Sequence, residues 1–227
     1  PATEALELKT RAGAQLLRAG GVERGLDLAR TALKARGLSL ARSPQGAFAS
    51  MVWTRARLKL RGYEFVRRPA SAIDRAELAR IDTLTSASIG LAALDSLRAS
   101  DLMSQALLRA LDAGEPTRIA VCLGYETAFS ANAGGAGEAR TREVLARCEA
   151  VTSTIDDAYA HACTFGGAGI ASFHLGRLAE AQKLCEQAAQ RFAKCPGAVK
   201  ETFTSELFAM VALGHAGDLG EVNRRLH

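Results

Sequence analysis

The stretch ACTFGGAGIASFHLGRLAEAQKLCEQA, residues 162–188, carries the strongest structural pattern in the sequence. It predicts two helices joined by a tight turn at Gly176. Small residues recur in both halves, at Ala168, Gly169, Ala181 and Ala188. Because two helix backbones approach to about 8 Å only where the side chains between them are small, this spacing predicts an antiparallel pair in which Gly169 faces Ala181.

A second stretch near the N-terminus repeats this register. Gly13, Gly20, Gly25 and Ala32 occupy the positions of Gly169, Gly176, Ala181 and Ala188. The tetratricopeptide repeat has a similar order, with a large and then a small residue on the first helix, a glycine at the turn and a small residue on the second helix. It predicts an all-α, tetratricopeptide-like α-solenoid of antiparallel helix pairs, with about ten or eleven helices in a single repeat domain over residues 1–227. The alternative is a chance match between Ala-rich helices, and residues 38–133 match the pattern poorly.

Composition favours the same fold class. Hydrophobic residues make up 48% of the chain and aromatic residues only 5%, which suits helices packed through small side chains. The net charge is +5, from 29 basic and 24 acidic residues. A nucleic-acid-binding domain carries a larger basic excess on one face, so a nucleic-acid partner is not expected.

Several local signals place the helix ends. Ser43-Pro44 predicts a helix start, although the alternation from Trp53 to Arg61 is also a strand signal. Ser100 is expected to cap a helix, and another helix is expected to end at Ala133. The first helix is predicted over 3–19, and Asp156-Asp157 should cap the helix that follows it.

The sequence holds no signature of a catalytic or metal site. The five cysteines lack zinc-site spacing, which favours reduced thiols in a cytoplasmic protein. Kinase loops and a Walker A sequence are missing, so neither enzymatic activity nor a cofactor is expected of this region. No apolar run reaches the roughly 18 residues that span a membrane.

Two surfaces are candidates for binding. If the repeat is real, a concave face would receive a protein or peptide, and its residues would be Cys163, Gly166, Ile170 and Phe173. A basic patch is the second candidate, formed by Arg55, Arg57, Lys59 and Arg61, and either nucleic acid or a membrane surface could use such charge. The basic residues could instead be solvated or paired with acidic neighbours. The alternative function is a small-molecule sensor gating an attached effector.

Several blocks in order resemble the helical C-terminal regions of multidomain bacterial serine/threonine protein kinases of the myxobacterial type. They are Ala5–Lys9, Ala14–Leu17, Arg55–Gly62, Glu77–Asp82, Leu107–Pro116 and Arg118–Ala120. The resemblance implies a fragment of a larger chain whose kinase domain lies elsewhere. It further implies a sensor or docking function, with neighbouring domains of the parent chain among its partners.

Overall fold

The computed structural model of the protein describes residues 22–226, and helices dominate them. The predicted all-α class is confirmed for this part of the chain, which contains no β-strand. The α-helices are α1 (Val22–Ala35), α2 (Pro44–Arg61), α3 (Arg75–Leu91), α4 (Ser96–Ala113), α5 (Pro116–Ser130), α6 (Glu138–Thr152), α7 (Ala158–His174), α8 (Leu178–Phe192), α9 (Val199–His215) and α10 (Leu219–Leu226). Short 3-10 segments cover Ala70–Ala72 and Ala131–Gly137.

Ten or eleven helices were predicted for the whole chain. Within residues 22–226 the structure has nine helices of 14 to 18 residues, and the tenth, α10, is a short helix of eight residues that we do not count with them. The helix predicted over 3–19 lies outside the described residues. So do Gly13 and Gly20 of the first predicted repeat.

Local capping explains where several helices begin. The Ser43 hydroxyl accepts a hydrogen bond from the Gly46 amide, and Pro44 is the first residue of α2, so the helix continues through the alternating stretch that also resembled a strand. Asp157 caps α7 by accepting from the Ala160 amide at 2.8 Å. Both predicted caps are confirmed.

Two predicted boundaries were wrong. The cap of α4 is Asp95, whose carboxylate accepts from the Arg98 amide, and Ser100 lies one turn inside the helix. α5 ends at Ser130 instead of Ala133, because the chain tightens there into the 3-10 segment that contains Gly134 at φ 59°. A positive φ of this kind is open mainly to glycine.

Packing divides the chain into two compact units, and the division falls between Arg118 and Ile119. In the first unit α4 is the central helix, packed against both α2 and α3. Its inward side chains are completely buried, among them Leu102, Met103 and Leu107. Because burial of each such side chain contributes roughly 1.5–3 kcal/mol, α4 anchors the first unit.

In the second unit α7 and α8 form a close pair, and α8 also packs against α9. A Cβ atom added to Gly169 would lie 2.6 Å from the Cys185 Sγ, and one added to Gly166 would lie 3.3 Å from the Phe192 ring. Positions earlier in α7 thus face positions later in α8, so the two helices are antiparallel.

The predicted register of this pair needs a correction. The atoms nearest to Gly169 belong to Leu184 and Cys185, one helical turn beyond the predicted partner Ala181. Ala181 is itself completely buried. The small residues do mark the helix crossing, but the crossing is shifted because the bulk of the Cys185 side chain fits the space left by glycine.

None of the helices in residues 22–226 combines the length and the apolar character that crossing a membrane requires.

Candidate partner-binding surfaces

The four residues predicted for the concave face share one stripe of α7 but differ in exposure. Cys163 and Gly166 are buried, whereas Ile170 and Phe173 are half-buried. The backbone of Cys163 packs against Gly124 of α5, where an added Cβ would lie 2.8 Å from the Cys163 carbonyl oxygen. Cys163 and Gly166 therefore hold neighbouring helices together, and only Ile170 and Phe173 of the four reach solvent.

A hydrogen-bonded row of polar side chains crosses three helices beside this stripe. The Tyr125 and Tyr159 hydroxyls lie 3.3 Å apart, and the Tyr159 hydroxyl donates to the Glu201 carboxylate at 3.4 Å. These residues belong to α5, α7 and α9, and each is half-buried. The row places one carboxylate, that of Glu201, beside the two tyrosines.

Burial affects the pKa values of the two tyrosines of this row and of Cys163 beside them. It raises the pKa values of Tyr125, Tyr159 and Cys163 above their ordinary values, because an anion in this setting would lose its hydration. The phenols are therefore neutral near pH 7 and able to donate. The formation of a nucleophilic thiolate or phenolate is therefore disfavoured at these side chains.

An aromatic cluster occupies the other end of the same stripe. The Phe173 ring centroid lies 5.4 Å from that of Phe208 and 5.5 Å from that of His215, both on α9. His174 lies 6.1 Å from Phe208. These are edge-to-face contacts, which favour aromatic pairs beyond simple burial. Partial burial also lowers the pKa of His174, so its ring is neutral at pH 7.

Together these contacts show that α7 and α9 run in the same direction. Tyr159 near the start of α7 meets Glu201 near the start of α9, and Phe173 near the end of α7 meets His215 at the end of α9. The fourteen residue steps from Tyr159 to Phe173 span about 21 Å of helix. We call this half-exposed surface the α7–α9 face, formed by Tyr125, Tyr159, Ile170, Phe173, His174, Glu201, Phe208 and His215.

The predicted basic patch does not act as a unit. Arg55 donates to the Ser100 hydroxyl at 2.7 Å, and Arg61 pairs with Asp112 at 2.6 Å. Both side chains are half-buried against α4, whereas Arg57 and Lys59 are exposed. Two of the four predicted residues thus help to attach α2, and two remain at the surface.

Sequence reasoning missed two exposed apolar surfaces. One is the outer side of α2, with Phe48, Val52, Trp53 and Leu60. The other is a stripe on α9 at helical spacing, with Val199, Phe203 and Leu207. Both could have been found by projecting the residues on a helical wheel, but the sequence alone does not say which side of a helix its neighbours cover.

The chain matches no family model, no curated protein and no solved structure.

Proposed function

We propose that this chain is a non-catalytic protein-interaction module, a tetratricopeptide-like stack of helix pairs that binds a peptide segment on its α7–α9 face. The observation that carries the proposal is that α7 and α9 run in the same direction and that α5 adds Tyr125 beside them, so that the tyrosine–glutamate row and the aromatic cluster lie along the same two helices. In helical repeats the first helices of successive pairs line the binding side.

The helix directions support this architecture. α7 and α8 are antiparallel, and α7 and α9 are parallel, as successive repeats require. The close approach of α5 to α7 agrees with it, because a Cβ atom at Gly167 would lie only 2.0 Å from the Gly124 carbonyl oxygen. Glycine pairs of this kind let the backbones of neighbouring repeats touch.

The chemistry of the face defines the partner. Glu201 offers a carboxylate to a basic side chain or an amide, whereas Ile170, Phe173 and Phe208 offer apolar contacts about 10 to 20 Å away along the helices. We propose a peptide that carries a basic residue at one end and an apolar or aromatic residue at the other. Such a segment would hold the protein against a partner without any chemical step.

The resemblance to kinase-associated helical regions suggests a setting for this interaction. We propose that the module is the sensor or docking region of a bacterial signalling serine/threonine kinase, in the cytoplasm, and that neighbouring domains of the parent chain are among its partners. No kinase, nucleotidase or hydrolase activity is expected of this region itself.

A peptide-display selection tests the proposal. Peptides enriched on the unmodified protein should bind it directly, and Glu201→Gln or His215→Ala should weaken that binding about tenfold, which corresponds to about 1.4 kcal/mol. Both side chains reach solvent, so the fold should survive. The control is Glu180→Ala on the exposed side of α8, which should bind like the unmodified protein.

Two results would count against the proposal. Selected peptides that bind the Glu201 and His215 variants with unchanged affinity would show that the α7–α9 face is not the docking surface. Tight binding of a small molecule, competing with every selected peptide, would favour the alternative of a small-molecule sensor.

A further inference from the structure

Helix α2 buries Ala47 and Leu58 on its inner side, but hydrogen bonds also attach it to its neighbour. The Ser50 and Thr54 hydroxyls donate to the Asp101 carboxylate of α4 at 2.6 and 2.9 Å. Arg55 and Arg61 add the contacts to α4 described above. Asp101 is only 4% exposed, so these hydrogen bonds belong to the packed interior of the first unit.

The outward side of α2 is correspondingly apolar. Phe48 is 58% exposed, Trp53 67% and Leu60 88%, with Val52 half-exposed between them. Ala49 and Ala56 fill the same arc of the helix and are also exposed. Large aromatic and aliphatic side chains gathered on one exposed helix face mark an interaction site more often than isolated ones do.

All the charged residues of α2 itself are basic. Arg57 and Lys59 are exposed on α2 beside the apolar side chains. From Leu28 to Tyr63 the sequence has eight basic residues and no acidic one. The part of the chain up to Arg118 has 19 basic against 12 acidic residues, and the remainder has 10 against 12. The occupant of the face must therefore offer both apolar and anionic groups.

We propose that α2 is a docking surface for an anionic lipid bilayer, lying in the plane of the membrane interface. Phe48, Trp53 and Leu60 would enter the boundary between headgroups and acyl chains, and Arg57 and Lys59 would contact lipid phosphates. Aromatic and aliphatic side chains flanked by arginine and lysine are the composition of interfacial helices. A bilayer also covers a whole exposed helix face at once, whereas a single partner helix covers a narrower seam.

This inference is independent of the proposed peptide site, because the two surfaces lie in different units of the chain. The docking proposal also gives different roles to the four residues of the predicted basic patch. Arg55 and Arg61 fix α2 to α4, and this leaves Arg57 and Lys59 to recognise the anionic surface.

Trp53 is the one tryptophan of the sequence, so tryptophan fluorescence reports on the α2 face. The experiment titrates the full chain with vesicles of phosphatidylcholine alone, or of phosphatidylcholine mixed with phosphatidylglycerol, and records tryptophan emission. Mixed vesicles should move the emission to shorter wavelength and protect Trp53 from iodide quenching. Neutral vesicles should produce a much smaller change.

Matched variants separate the two parts of the face. The double change Arg57→Gln and Lys59→Gln should weaken partitioning into mixed vesicles roughly 30-fold, the loss expected for two basic residues near an anionic surface. The double change Phe48→Ser and Leu60→Ser should remove the emission shift. The control, Phe203→Ser with Leu207→Ser on the exposed stripe of α9, should bind vesicles normally. Circular dichroism confirms that each variant is folded.

Three results would overturn the proposal. Equal binding to neutral and anionic vesicles would remove the role of the basic residues. Iodide protection of Trp53 in the protein alone would show that another part of the protein already covers the face. An emission shift that depends on protein concentration without lipid would identify a second copy of the chain as the occupant.

Discussion

Gly167→Ala should destabilise the second unit strongly, because the added methyl group has no room. It would lie 2.0 Å from the Gly124 carbonyl oxygen and 2.8 Å from the carbonyl carbon. These are backbone atoms, so α5 and α7 must separate by roughly 1 Å or more to restore normal contact. Overpacking costs about 1–3 kcal/mol, and the upper end applies here. Alanine regains about 1 kcal/mol of helix propensity, so a net loss of about 2 kcal/mol is expected.

Gly214→Ala is the matched control, since it makes the same chemical change inside a helix. No atom lies within 4 Å of a Cβ at Gly214, so this variant should gain up to about 1 kcal/mol. Urea unfolding followed by circular dichroism measures both free energies of unfolding. A Gly167→Ala protein as stable as the Gly214→Ala protein would refute the close α5–α7 contact and the packing argued from it.

Further predictions concern buried polar groups. Asp101→Ala should lower the free energy of unfolding by about 1–3 kcal/mol, because it leaves buried donors without an acceptor. The control Asp112→Ala, at an exposed ion pair, should change that free energy by less than about 1 kcal/mol. Urea unfolding of both variants measures the difference, and equal effects would contradict the prediction. Burial raises the pKa values of Tyr125 and Cys163, so the unfolded chain releases protons that the folded chain keeps. Stability should therefore fall as pH rises above about 9, and a melting temperature that stays flat or rises there would show that these groups are not buried. An aromatic disulfide reagent at pH 8 should modify half-buried Cys195 before any other of the five thiols, as peptide mass mapping would reveal.

The helical class of the fold was predictable because its signals are local. Ser43-Pro44 supplies both a cap and a first helical residue within two positions, and the glycines of α7 mark a close crossing. The crossing register was not predictable in the same way. Gly169 meets Cys185 in place of Ala181, and a one-turn shift of this kind depends on how whole side chains fill the space between two helices.

The candidate surfaces were harder to predict, because they depend on distant parts of the chain. Tyr125 and Tyr159 are 34 residues apart, and Tyr159 and Glu201 are 42 residues apart, so no local pattern joins them. The orientation of α2 was hidden for a related reason. Its outward side follows from hydrogen bonds to Asp101, about 50 residues later, whereas hydrophobicity alone would turn Phe48 and Trp53 inward.

The most direct test of the proposed function uses the methyl groups of the six isoleucines as nuclear magnetic resonance probes. A selected peptide is titrated into protein labelled at these methyl groups. Ile170 lies between the two ends of the α7–α9 face, whereas Ile81 is completely buried in the first unit. We expect the Ile170 signal to shift with saturation while the Ile81 signal stays in place. Saturable peptide binding that leaves Ile170 unmoved would contradict it.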